Sequence, residues 1–168
     1  LLHSMQIQGP QPNHRSWTAI LSGYAHYGHD KDASQLIQQM SYEGLEPNIV
    51  TWNALISGYA KHGQAIRALD CFYEMQNEGL SPNVITFIST LKACGIIGNV
   101  NRGLELHAEI ARKGLLEKRD ILMGNALLGM YVNCGDFVMA HEIFNSLPVQ
   151  DTSSWNVLIS GFVSLAYA

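Results

Sequence analysis

The sequence predicts an all-α solenoid of stacked helical hairpins, and three regularities predict it. Trp17, Trp52 and Phe87 recur at steps of 35 residues, with Trp155 closing the series. Gly28, Gly63, Gly98 and Gly135 step by 35, 35 and 37. Ala33, Ala68, Gly103 and Ala140 keep the same steps, as do Met40, Met75, Ile110 and Leu147. Position classes held in register at such a period mark a repeat array, in which each supersecondary unit stacks on the next.

Each repeat reads as two helices. The chain opens inside a second helix, Leu1 to Gln8, so residues 1–13 form a partial repeat. In the repeat 14–48, Trp17, Ile20, Leu21 and Tyr24 form one apolar stripe. Gly28 ends that helix; Leu36, Ile37 and Met40 mark the second, and Gly44 and Pro47 stop it. The repeat 49–83 follows the same plan, with Thr51 as the expected cap of a helix carrying Trp52, Leu55, Ile56 and Tyr59. His62 and Gly63 close it, glycine being suited to a left-handed C-terminal position. Its second helix carries Ile66, Leu69, Phe72, Tyr73 and Met75 until Gly79, and Pro82 blocks continuation. A repeat of 37 residues (84–120), one of 31 (121–151) and a partial one (152–168) complete the chain. A lone hairpin cannot bury its apolar stripe, whereas stacked neighbours share a continuous core.

Composition agrees with a folded chain: 47% of the 168 residues are hydrophobic and only 14% are charged. The net charge of −4 runs against the basic excess usual in phosphate binders. No apolar run reaches the length of a membrane span. Cys71, Cys94 and Cys134 form no CxxC pair, which argues for free thiols in a reduced compartment rather than a disulfide framework. Position 1 is leucine, the opening residues lack a signal peptide's basic start, and neither end reads as a polar cap. An internal fragment of a longer protein is therefore expected.

The tetratricopeptide repeat also pairs helices, but it sets Leu-Gly three residues after its tryptophan. Here Trp52-Asn53-Ala54-Leu55-Ile56-Ser57-Gly58-Tyr59-Ala60-Lys61-His62-Gly63 places the glycine directly before the tyrosine. That string, with Gly79-Leu80-Ser81-Pro82-Asn83, closely resembles the pentatricopeptide repeat. Repeat 84–120, with Leu91-Lys92-Ala93-Cys94, resembles the family's long variant; repeat 121–151, with Gly124-Asn125-Ala126-Leu127, resembles the short one. The mixture is similar to a subclass of land-plant proteins of mitochondria and chloroplasts. That subclass mostly directs site-specific C-to-U editing of RNA, with some members in splicing or transcript stabilisation.

The resemblance implies a right-handed superhelix whose first helices line a concave face and bind single-stranded RNA, one base per repeat. The fifth residue of each repeat gives Thr18, Asn53, Ile88, Asn125 and Asn156, and the last gives Asn48, Asn83, Asp120 and Asp151. Amide, hydroxyl and carboxylate groups can bond the Watson–Crick edge of an unstacked base. The plain alternative is that Asn and Asp serve the turns after Pro47 and Pro82. Arg15, Val50, Ile85, Leu122 and Ser153, second in their repeats, would wall each base. By the family's recognition rule, Thr18 with Asn48 resembles an adenine reader, Asn53 with Asn83 a pyrimidine reader, and Asn125 with Asp151 a uracil reader. Ile88 with Asp120 departs from the pattern, since isoleucine cannot hydrogen-bond, and should be indifferent. Asn156 suggests a further pyrimidine, giving the word A-Y-N-U-Y from 5′ to 3′. Lys61 falls where resembling repeats contact phosphate; His26, Ile96 and Asn133 hold the equivalent places.

The chemistry-bearing motifs are few. The histidines lack HExxH spacing, so neither a metal nor another cofactor is expected. Cys94 and Cys134 read as small core residues, and no phosphate loop, nucleophile elbow or deaminase signature is present, so no catalysis is expected. A protein-interaction scaffold or a structural subunit of an organellar ribonucleoprotein is the competing class. Accessory editing proteins are a further partner the resemblance implies.

Overall fold

The computed structural model describes residues 12–116 and 120–166, so the expected helix Leu1 to Gln8 lies outside the described residues. Among the described residues there are nine α-helices and no strand. They run as α1 (His14–Tyr27), α2 (Asp30–Tyr42), α3 (Ile49–Lys61), α4 (Ala65–Asn77), α5 (Val84–Ile97), α6 (Val100–Arg112), α7 (Ile121–Asn133), α8 (Phe137–Ser146) and α9 (Thr152–Ala166). Odd-numbered helices are the first helices of the hairpins and even-numbered ones the second. The chain divides into an N-terminal lobe, residues 1–81, and a C-terminal lobe, residues 82–168. None of the described helices is long and apolar enough to cross a membrane.

The first helices start 35, 35, 37 and 31 residues apart, at His14, Ile49, Val84, Ile121 and Thr152. The two additional residues fall between Arg112 and Asp120, where the other long connections are shorter. The shortening comes instead from α8, which has 10 residues where α2, α4 and α6 each have 13. First helices change little, so variation in repeat length is absorbed in the second helix and the loop after it.

Each first helix is started by the last residue of the preceding hairpin. Asn48 holds an extended backbone and its side chain accepts from the N–H groups of Val50 and Thr51. Thr51 is therefore not the cap expected from the sequence. The helix begins at Ile49, and Thr51 sits inside its first turn, fully buried. An asparagine carbonyl reaches two orphan N–H groups at this end, which leaves nothing for the threonine to cap. Asn13 and Asp120 do the same for α1 and α7, and Asn83 forms a reciprocal capping box with Thr86. Glycines in the left-handed region close both helices of a hairpin, as Gly63 (φ 74°) and Gly79 (φ 79°) show for the second repeat.

Within the N-terminal lobe, α1 packs on α3 and each first helix on its own second helix. Trp17, Leu21, Trp52, Leu55, Ile56, Phe72 and Met75 are buried there. Removing each such side chain from water stabilises the lobe by roughly 2–3 kcal/mol. The indole Nε1 of Trp52 donates to Glu78 at 2.9 Å, satisfying the ring's one polar atom. In the C-terminal lobe α5 packs on α7 and α7 on α9, around Phe87, Leu91, Leu106, Leu127 and Tyr131. Three apolar assignments need correction. Ile66 and Tyr73 face solvent on α4, because its buried stripe is Ala65, Ala68, Leu69, Phe72 and Met75. Trp155 is 48% exposed, edge-on to Phe144.

Candidate nucleic-acid interface

Acidic side chains are sorted by helix. None of α1, α3, α5, α7 and α9 contains an aspartate or glutamate, while they carry Arg15, Lys61 and Lys92. The second helices hold Asp70, Glu74, Glu105, Glu109 and Glu142. A chain of net charge −4 thus presents first helices with no negative side chain, and the net figure says little about the potential along them.

Between α1 and α3 lies a cleft of about 490 Å³ lined by Arg15, Thr18, Ser22, Asn48, Val50 and Ala54, among others. Register explains the grouping: second, fifth and ninth residues of a first helix share a face, and the cap of the next helix closes one edge. Thr18 Oγ1 is 3.1 Å from Thr51 Oγ1, which in turn donates to Asn48 Oδ1 at 3.4 Å. The structure thereby brings Thr18 and Asn48 to one cleft, linked through a buried threonine that the sequence reading had assigned to a cap. Asn48 uses only its carbonyl oxygen in these bonds, and its Nδ2 group is uncommitted.

A second cleft, of about 210 Å³, lies between α5 and α7 and is lined by Ile88, Lys92, Asn125, Gly129, Met130 and Asn133, with Ala126. Asn125 Nδ2 donates to Asp151 Oδ1 at 3.5 Å. The Asp151 carboxyl is held below the usual carboxylate range, first by the backbone N–H of Ser154, which it accepts at 2.8 Å. An ionised carboxylate accepts and cannot donate, so the amide must turn its Nδ2 toward Asp151 and its Oδ1 away. That Oδ1 is buried and has no donor among the described residues.

The remaining candidates divide. Val50, Ile85 and Leu122 are 62%, 56% and 68% exposed, although all three are apolar and sit at one register. Asn156, Lys61, Arg15 and Ser153 are exposed, and Thr18 and Ile88 are half-buried. Asn53 differs from its counterparts, being only 8% exposed. Asp120 accepts from Leu122 N–H at 2.9 Å and borders a small pocket with Gly124 and Leu147, not the cleft at Ile88. Asn83 accepts from Thr86 N–H at 3.1 Å. Capping therefore occupies an oxygen on each of these end-of-repeat residues, the role that turn chemistry alone predicts. Sequence reasoning missed Lys92. The cations expected from the resemblance fall at the thirteenth residue of each repeat, whereas Lys92 is the ninth, one turn beyond Ile88 on the same face.

Lys61 ends α3 beside His62, whose Nε2 lies 2.8 Å from His26 Nδ1. Among the described residues no group of three or more His, Cys, Asp or Glu side chains could hold a metal ion. Cys71 and Cys94 are buried and all three cysteines are free; burial pushes the Cys94 thiol up to about 12, so it is no nucleophile.

Family models agree with this architecture. Residues 1–62 match a pentatricopeptide repeat domain, residues 47–95 the PPR repeat family, and residues 125–149 a PPR repeat. A mitochondrial pentatricopeptide repeat-containing protein of Arabidopsis thaliana is 44% identical over 45 residues, which is 27% of this chain and 7% of that protein. The crystal structure of pentatricopeptide repeat protein PPR10 from maize superposes with a TM-score of 0.70 at 22% identity, covering 99% of this chain and 26% of that one. PPR10 in complex with an 18-nt psaJ RNA element superposes at 0.64 and 17% identity, covering 98% and 29%. The chain spans less than a tenth of that curated relative and under a third of these structures.

Proposed function

We propose that this chain, a pentatricopeptide-repeat protein, is a sequence-reading module for single-stranded RNA that takes one base per repeat. One observation carries the reading. Asn125 is bonded to Asp151 and left with a buried carbonyl oxygen that no group among the described residues satisfies. Leaving such an acceptor unpaired costs on the order of 1–3 kcal/mol, and the N3–H of a uracil would supply the donor. The cleft edged by Thr18 and Asn48 offers a matching arrangement for adenine, with Arg15 and Val50 as walls. The exposed aliphatic groups of Val50, Ile85 and Leu122 suit base faces, where stacking contributes about 1–3 kcal/mol per base at aromatic platforms and less at aliphatic ones. First helices without acidic groups remove the charge objection. That a related fold has been crystallised with RNA is in line with the same reading.

The alternation of 35-, 37- and 31-residue spacings supports a place among the mixed-repeat proteins of plant mitochondria or chloroplasts, with site recognition for C-to-U editing as the task. Splicing or stabilisation of transcripts would use the same module. Accessory editing proteins would supply the chemistry or the assembly around it.

The test is fluorescence anisotropy of the 168-residue chain with A-C-A-U-C RNA and variants, at low salt with a duplex competitor. Guanine at the first or fourth place is expected to weaken binding, and a change at the third place to leave it unaltered. Equal binding to every variant would reduce the function to shape and charge. No binding to any would turn the assignment toward a protein partner or ribonucleoprotein scaffold.

A further inference from the structure

Resting on the RNA reading, we infer that Lys92 makes the third full repeat a phosphate clamp: its ammonium holds the backbone of the strand where Ile88 cannot hold a base. Four observations meet at this residue. Ile88 offers no donor or acceptor, yet the cleft beside it is open and holds Lys92 one helical turn along. Lys92 is exposed and makes no ion pair or hydrogen bond with any described residue. Its helix and the facing α7 contain no aspartate or glutamate, so no carboxylate on either competes for the ammonium. Of the cleft's two amides, Asn125 is taken by Asp151 and the neighbouring base, while Asn133 is a neutral group whose N–H can donate to a phosphate oxygen.

An ammonium is a compact point charge on a flexible stem, suited to a phosphodiester and poor at discriminating base edges. The Ile88 repeat would then not be a gap in the array. It would hold the strand in register between the positions read by its neighbours, at the same strength for all four bases.

The experiment measures the dissociation constant of the 168-residue chain for A-C-A-U-C RNA, and for the three variants at the third place, across a salt series. Lys92→Gln should weaken binding several-fold at low salt by one factor for all four RNAs. It should also lower the slope of log affinity against log salt by about 0.7, the value for one contact on a single strand. Lys92→Arg should retain the slope. An unchanged slope in Lys92→Gln overturns the clamp while leaving base reading intact. A loss confined to one base at the third place also overturns it, since Lys92 would then be reading a base edge. Failure of the unsubstituted chain to bind any RNA overturns both readings.

Discussion

The cleft between α1 and α3 and the cleft between α5 and α7 are built on equivalent pairs of first helices and differ in what edges them. The first is about 490 Å³ with Thr18, Ser22 and Asn48 at its border; the second is about 210 Å³ with Ile88, Lys92 and Asn125. Backbone register fixes where the fifth and ninth residues point, while the identity of those residues fixes what can be bonded there. On the proposed reading, a hydroxyl or amide at the fifth place is a base-edge partner. Isoleucine there with lysine at the ninth is a cation without directional readout. The scaffold is therefore indifferent to the chemistry it carries, which is how a repeat array varies its target without altering its fold.

The packing beneath the clefts is the first place to break this comparison. Trp52 is sealed in the N-terminal lobe and bonded to Glu78, whereas Trp155 in the C-terminal lobe is half exposed. Trp52→Ala should cost about 4 kcal/mol, and Trp155→Ala no more than about half of that. Urea midpoints of the two variants test this; equal losses would mean that exposure of the indole does not govern its contribution.

Helix approach differs between the lobes in the same direction. A Cβ on Gly58 would lie 2.7 Å from the Ala25 methyl, which cannot rotate away because it is fixed to the α1 backbone. A Cβ on Gly95 would meet Asn133 Cβ at 3.1 Å, a looser approach than at Gly58, and its Nδ2 at 3.2 Å, which can turn away. Gly58→Ala should therefore destabilise by about 1–3 kcal/mol from overpacking, less up to about 1 kcal/mol of helix propensity gained. Gly95→Ala should be close to neutral. Thermal melts that rank Gly95→Ala as the more damaging would refute a rigid α1–α3 contact.

Exchanging the readers sharpens the functional side. Ile88→Asn places an amide at the fifth position of the second cleft and should introduce base preference at the third place. Asn125→Ala should abolish preference at the fourth, each by about 1 kcal/mol, roughly fivefold in affinity ratio. Anisotropy on single-base RNA panels reads both. If Ile88→Asn leaves the third place indifferent, the smaller cleft rather than the isoleucine sets that repeat's behaviour.

Much of this was legible in the sequence, because a 35-residue step in four position classes forces the hairpin plan regardless of detail. The register of the candidate readers was legible for the same reason. The identity of the caps was not: Thr51 and Asn48 are both capping residue types three positions apart, and only the extended backbone of Asn48 decides between them. Nor was the burial of Asn53 or the exposure of Trp155, since these depend on neighbours that a repeating pattern treats as equivalent. Lys92 shares Ile88's face by spacing alone, but the cleft that gives it a place emerges only once α5 and α7 are set side by side.

The smallest expected effect concerns a contact in the C-terminal lobe. His107 on α6 lies with Nδ1 2.8 Å from the hydroxyl of Tyr131 on α7. Burial lowers the imidazole from its ordinary value and raises the phenol to about 12. The phenol therefore keeps its proton at neutral pH and donates it, and the neutral imidazole accepts at Nδ1. Because the folded state disfavours the charged ring, the unfolded chain binds a proton first as pH falls through about 6.5. Stability should be fully present above that pH and decline below it, levelling off once the folded ring also titrates. His107→Gln, which keeps an acceptor and removes the titration, should flatten that part of the profile in urea melts between pH 7.5 and 5. A profile with the same slope in the variant would assign the acid sensitivity to other groups and leave the His107–Tyr131 contact a packing feature alone.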